Sequence, residues 1–254
     1  MRRLTLALTL AALLGAGSVH TARAAEEIKL PELHWSFNGV FGTFDRGAIK
    51  RGFQVHKEIC SNCHSMNLLH YRNLADLGFS EDEIRQIAGS VQVTDGPNDN
   101  GDMFERPGKA SDRFKAPFAN PQAARAANNG ALPPDLSLIA KARLGGADYI
   151  HALMTGYTEP PAGFKLQPGM NYNKYFPGHQ IAMPPPLSDG AVTYADGTPA
   201  TVDQMASDVA TFLTWAAEPN LETRHRIGLK SILFLLVLTG MLYAVKRKVW
   251  AAVH

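Results

Sequence analysis

The stretch that decides the reading is residues 45–65, DRGAIKRGFQVHKEICSNCHS. Asp45 is a helix N-cap residue type, and Ile49, Phe53, His56, Ile59 or Cys60, and Cys63 follow it at three- and four-residue steps. That spacing predicts an amphipathic helix running into the pentapeptide CSNCH at Cys60–His64. The pentapeptide holds both of the 2 cysteines in a chain of 254 residues. A chain of this length can bury a core without disulfide staples, so the placement of the pair points to chemistry.

C-x-x-C-H is the attachment pattern of a c-type haem. Two thiols one turn apart can each add to a vinyl group of one porphyrin, and an imidazole directly after them lies under the ring, in reach of the iron. Cys60 and Cys63 are therefore read as thioether tethers and His64 as the proximal iron ligand, for one covalently bound haem c. The other ring nitrogen of His64 is expected to donate to a backbone carbonyl, which fixes its tautomer. Three rival chemistries fit a C-x-x-C. A thioredoxin-like C-x-x-C needs a βαβ setting, and none is visible in the sequence. A zinc site needs four close ligands, and there is no second C-x-x-C or H-x3-H. A structural disulfide is the alternative in an oxidising compartment.

A c-type haem iron often takes a methionine opposite its histidine. Met66 is too near His64 to cross the ring, and Met241 lies in an apolar C-terminal run. Met154 and Met205 fall on apolar faces of helical segments, where methionine is commonly core filler. Met103 sits in an acidic stretch expected to be a flexible loop. Met170 and Met183 remain, both in loops. Met183 stands in IAMPPPL, whose prolines favour a stiff, extended segment able to hold a thioether against a ring, so Met183 is preferred to Met170.

The two ends concern membranes. Residues 1–24 combine Arg2 and Arg3, a short apolar run and Ala22-Arg23-Ala24, and read as a secretory signal peptide. Residues 222–254 hold an apolar span at about 227–245, flanked by Arg224 and Arg226 on one side and Lys246, Arg247 and Lys248 on the other. With the head exported, the span becomes a single transmembrane anchor with a short cytoplasmic tail. The absence of a transit peptide before the signal favours a bacterial inner membrane, with residues 25–221 as a periplasmic domain. The net charge of +2 hides this division, because residues 25–221 alone carry 16 basic and 22 acidic residues. That balance argues against nucleic acid as a partner.

Within the head, Thr201 and Gln204 form a capping box. Val202, Met205, Val209, Phe212, Leu213 and Ala216 then make one apolar helical face, and Pro219 ends it. The fold class expected is mainly α: a cytochrome c-like haem domain in which this helix and the one before CSNCH cross beside the haem, with long loop insertions between. Short helices are expected near 80–88, 120–128 and 146–155, and a small hairpin in AVTYADGTPAT, where Asp196-Gly197 is a turn signal. Residues 76–112 concentrate nine acidic residues, from Asp76 to Asp112, against Arg85, Arg106 and Lys109. They read either as a solvated loop or as a docking surface for a basic protein.

RGFQVHKEICSNCHSMNLLHYRNL, PQAARAANNGALPPDLSLI, GGADYIHALMTGYTEPP, YFPGHQIAMPPPL and DGTPATVDQMASDVATFLTWAAEP together resemble the cytochrome c1 family, as does the basic-flanked C-terminal anchor. The resemblance runs in order over nearly all of the chain after the signal. It implies Met183 as the second axial ligand and a contact between Arg125 and a haem propionate; on residue type alone Arg125 is a solvent-facing helix residue. It implies a haem subunit of the quinol–cytochrome c oxidoreductase, or bc1 complex, of a respiratory or photosynthetic chain. Such a subunit passes electrons from a Rieske iron–sulfur protein to a soluble or membrane-bound c-type cytochrome, sits beside cytochrome b, and carries no catalysis by itself. Two other readings compete with it: a membrane-tethered monohaem shuttle outside any complex, and a haem-free thiol oxidoreductase. An aromatic residue is expected where His56 stands.

Overall fold

Asp45 starts the first helix, α1 (Arg46–Glu58), by accepting from the amides of Gly47 at 2.8 Å and Ala48 at 3.1 Å. The structure is a computed structural model and describes residues 28–251, so the expected signal peptide lies outside the described residues. Six further α-helices follow: α2 (Glu81–Gly89), α3 (Pro121–Ala127), α4 (Ile139–Ala142), α5 (Gly146–Thr155), α6 (Val202–Ala217) and α7 (Leu221–Trp250). Among the described residues there are two antiparallel ribbons, with isolated bridges at His70–Arg113 and Tyr157–Asn173. One pairs β1 (Gln92–Asp95) with β2 (Phe104–Pro107), and the other pairs β3 (Asn171–Tyr172) with β4 (Gln180–Ile181). The mainly helical class expected from the sequence is the class observed, and the helices expected near 80–88, 120–128 and 146–155 are α2, α3 and α5.

The head is built on the crossing of α1 and α6. Gly52 sits at the point of contact: a Cβ there would lie 2.0 Å from the Asp208 carbonyl oxygen and 2.7 Å from the Phe212 Cβ. Only a bare backbone lets the helices approach so closely. Beside it, the Arg51 guanidinium grips the buried Asp208 carboxylate through Nε at 2.9 Å and Nη2 at 3.0 Å, and reaches Asp196 through Nη1 at 2.8 Å. The two-pronged contact satisfies a carboxylate that burial would otherwise leave expensive. Around the crossing Phe53 packs within 6 Å, ring centre to ring centre, of Phe79, Phe114 and Phe212. α5 lies against α6, joined by a 3.0 Å contact between His151 Nε2 and Asp203 Oδ1.

Three local expectations need correction. The helix before the pentapeptide stops at Glu58, and Cys60–Asn62 form a tighter 3-10 turn. The hydroxyl of Ser61 and the side-chain amide of Asn62 bond back to the carbonyls of Lys57 and Glu58, where the α-helical ladder ends. AVTYADGTPAT makes a turn over Tyr194–Gly197, closed by the Gly197 amide on the Tyr194 carbonyl at 3.2 Å, but no strands, because its residues are held by side-chain contacts instead: Tyr194 is buried, and Asp196 is paired with Arg51. The acidic stretch, expected as a flexible loop around Met103, is a hairpin. Arg106 binds both Asp95 and Asp112 across it.

α7 leaves the head after only three residues, Glu218–Asn220. That joint is braced. Glu218 pairs with Lys141 of α4 at 2.7 Å and with Arg224, and Glu222 pairs with Arg46 of α1 at 2.6 Å. Beyond it the helix is exposed and apolar from Ile227 onward, with a mean hydropathy of 1.9 over an 18-residue window. At about 1.5 Å per residue its 30 residues exceed the roughly 30 Å hydrocarbon core of a bilayer. Among the described residues it is the one helix long and apolar enough to cross a membrane.

Candidate functional site

The 3-10 turn at Cys60 folds the pentapeptide over on itself: the amides of Cys63 and His64 both point to the Cys60 carbonyl, at 3.1 and 2.9 Å. His64 is thereby turned toward residues 131–138, ALPPDLSL. Its Nδ1 lies 2.8 Å from the Pro134 carbonyl oxygen. A carbonyl can only accept, so the proton resides on Nδ1 and the Nε2 lone pair is free to bind a metal. Burial holds the His64 imidazole below its ordinary pKa, outweighing the opposite pulls of the Pro134 carbonyl and Asp135, and so keeps the ring in the neutral, ligating form.

The Pro134 carbonyl is itself fixed. Leu136 donates its amide to the Ser65 carbonyl at 2.8 Å. The Asp135 carboxylate receives the Ser65 hydroxyl and the Asn67 amide at 2.8 Å each and the Ser137 amide at 2.9 Å. Burial raises the Asp135 carboxyl, but these hydrogen bonds win and keep it below the usual carboxylate range. The two chain segments are thus sewn together on both sides of His64. Leu132 and Leu138, which flank the acceptor, are 43% and 46% exposed. Exposed leucines beside a half-buried, oriented imidazole fit an apolar ring at this face.

Met183, the candidate second ligand, is half-buried and stands two residues past the end of β4. Its carbonyl accepts from the Tyr157 hydroxyl at 3.1 Å and from Asn171 Nδ2 at 3.4 Å. Burial pushes the Tyr157 phenol up, so it stays a donor. The loop from 157 to 183 is braced in turn by buried Asn173, which donates to the Leu153 carbonyl of α5 at 2.8 Å. Met170 immediately precedes β3, and the register Asn171↔Ile181 brings it to the same end of the ribbon as Met183. What distinguishes Met183 is the pair of side chains gripping its backbone; the structure places both methionines in one region.

Arg125 is exposed on α3 and donates from Nη1 to the Gly130 carbonyl at 2.9 Å. It therefore steadies the start of the loop that carries Pro134, and no described hydrogen bond or ion pair joins it to His64. Pro134, Asp135, Tyr157 and Asn171 were not singled out from the sequence. The signal for the first two lies in LPPDL, where paired prolines followed by an Asx residue mark a stiff turn with a local acceptor.

The donor set suits haem. Among the described residues no group of three His, Cys, Asp or Glu side chains could hold a bare metal ion. One neutral imidazole and one thioether suffice only where a porphyrin supplies the remaining four ligands. The cysteines are not joined to each other, and burial pushes the Cys60 thiol up to about 12, opposite to the lowered value of a redox-active thiol.

Residues 35–253 match the family model described as Cytochrome C1 family. The chain is 49% identical over 260 residues to cytochrome c1 of Rhodospirillum rubrum, an overlap of 94% of this chain and 96% of that one. It is 51% identical over 232 residues to the mitochondrial cytochrome c1 heme protein of Saccharomyces cerevisiae, covering 91% of this chain and 75% of that one. It is also 49% identical over 272 residues to the cytochrome b/c1 of Bradyrhizobium diazoefficiens, and there it spans 98% of itself but 40% of that longer protein.

Proposed function

Because the chain belongs to the cytochrome c1 family, we propose that it is the haem-containing electron-transfer subunit of a quinol–cytochrome c oxidoreductase, the bc1 complex. The observation that carries the reading is the arrangement at His64: a neutral, tautomer-fixed imidazole one residue after a C-x-x-C turn, under a face of exposed leucines. When bound, a haem supplies reversible one-electron chemistry at its iron. Cys60 and Cys63 would tether it, His64, oriented by Pro134, would hold the iron, and Met183 would be offered as a second ligand from a loop anchored by Tyr157 and Asn171. Arg125 is proposed to meet a propionate.

The finer role is to accept an electron from a Rieske iron–sulfur protein and pass it to a c-type cytochrome, soluble or membrane-bound, while α7 packs beside cytochrome b. The domains are proposed as a signal at 1–24, a periplasmic haem head at 25–221 and a single-pass anchor at 222–254 with its C-terminus cytoplasmic. The supporting observations are the exposed, apolar α7 and the braced head that precedes it.

The reading is tested by a reduced visible spectrum of the purified protein and by acid–acetone extraction. A c-type α-band with haem retained after extraction is expected. Haem lost to the solvent would sink covalent attachment, and purification without any b-type cytochrome would favour a free tethered shuttle.

A further inference from the structure

The loop before α1 ends in an apolar tip: Val40 is 63% exposed and Phe41 79%. The tip is held in one shape. Trp35, Phe37 and Phe44 below it are buried; Phe37 stacks on Trp35 at 5.5 Å and meets Phe44 at a tilt at 5.1 Å. Asn38 donates to the Trp35 carbonyl at 3.0 Å and Thr43 to the Ser36 carbonyl at 3.0 Å. Gly42 is wound so tightly that a Cβ would lie 2.3 Å from the Phe37 carbonyl. A rigid frame that displays two large apolar side chains is built for contact.

Its direction is set by two hydrogen bonds to α7. The Phe44 amide donates to the Glu222 carboxylate at 2.8 Å, and the Gly42 carbonyl lies 3.2 Å from His225 Nδ1. Stepping back along the loop from Phe44 to Gly42 thus advances three residues along α7, about 4.5 Å. The Gly42 amide closes a turn onto the Gly39 carbonyl at 3.2 Å, which puts Phe41 and Val40 at its corners, next along the chain from Gly42. On α7 the exposed apolar surface begins with Ile227, two residues or about 3 Å past His225. Exposed Arg224 and Arg226 stand at the same level, where lipid phosphates would lie.

We infer that Val40 and Phe41 form a second membrane contact, seated at the headgroup–acyl boundary of the leaflet that α7 enters. This rests on the reading of α7 as a membrane span. Aromatic and aliphatic side chains at that depth gain burial without needing hydrogen-bond partners. Together with α7, the contact fixes the rotation of the head about the helix axis.

The test uses the full-length haem-loaded protein in phosphatidylcholine vesicles. With Cys60 and Cys63 consumed as thioethers, a cysteine introduced by F41C, L235C or K57C is the single site for a nitroxide label. Lys57 is exposed, near the end of α1 remote from Asp45. The label at position 41 is expected to be several-fold more accessible to oxygen, relative to a water-soluble nickel complex, than the label at 57. It should remain shallower than the label at 235. Nickel-dominated accessibility at 41 with oxygen-dominated accessibility at 235 overturns the loop contact and leaves the span intact. Protection from both reagents at 41 assigns the tip to a protein partner and overturns the lipid contact. Nickel-dominated accessibility at both 41 and 235 overturns the span and the inference together.

Discussion

His56 lies 3% exposed between Phe114 and Phe212, and neither of its ring nitrogens has a hydrogen-bond partner among the described residues. An unpaired buried polar group costs about 1–3 kcal/mol. Burial, then the nearby His64, lowers its pKa to about 4. The unfolded chain, with an ordinary histidine near 6.5, binds the proton first. Stability from this group is therefore full above about 6.5 and is lost as pH falls toward 4. His56→Phe should raise unfolding stability by about 1–3 kcal/mol at pH 7 and flatten the loss between pH 6.5 and 4. Denaturant titrations at both pH values check this, and parallel acid losses in the two proteins would refute it. At the same scale, Met183→Leu should retain covalent haem and lower its potential by on the order of 0.1 V or more, since axial ligands govern that quantity. Redox titration decides. A drop for Met170→Leu with no change for Met183→Leu would transfer the ligand to the neighbouring strand end. CSNCH and IAMPPPL supply the residue types proposed for the site. The carbonyl that orients His64 was not legible in the chain, because any backbone carbonyl is chemically equivalent in a sequence and only the Ser65–Leu136 and Asp135 pairings select Pro134.

Among the elements, the crossing of α1 and α6 forms the centre of the head, and α1 leads directly into the Cys60–Asn62 turn. Gly52→Ala would force a methyl group into the Asp208 carbonyl, a backbone atom that cannot rotate away. The expected cost is about 1–3 kcal/mol or more, the range for overpacking, with a fall in the yield of haem-loaded protein. Thermal unfolding and the haem-to-protein ratio report it; wild-type values in both would mean that the helices slide apart freely. These two helices could be read from the chain because Asp45 and Thr201 are caps and the apolar periodicity behind them is strong. The reciprocal half of the second cap was misjudged: Gln204 turns its amide to Asp208 at 3.1 Å. The hairpin of β1 and β2 escaped detection for a physical reason. Its strands are four residues each, exposed on one or both faces, and joined by eight residues, so neither alternation nor a two-residue turn marks them. AVTYADGTPAT erred the other way. Asp-Gly specifies a turn, and whether strands flank it depends on competing partners such as Arg51.

For the molecule as a whole, the acidic region divides once its partners are known. Arg106 holds Asp95 and Asp112, Arg85 lies beside Asp82 and Glu81, and Glu83 caps α2. Asp99 and Asp102 stand exposed at the hairpin turn. Asp99→Asn with Asp102→Asn should slow reduction of a basic c-type cytochrome a few-fold at low salt, with the difference vanishing at high salt. Asp112→Asn should instead loosen the hairpin. Stopped-flow rates across ionic strengths test this, and an unchanged rate returns the turn to simple solvation. The braced three-residue joint at Glu218–Asn220 carries a different consequence. A head on a long flexible linker explores a volume and meets partners at an effective concentration set by that linker. The three-residue joint gives this head little slack, and on the reading of α7 as a membrane span it holds the head near the membrane surface, where an arriving partner supplies most of the travel.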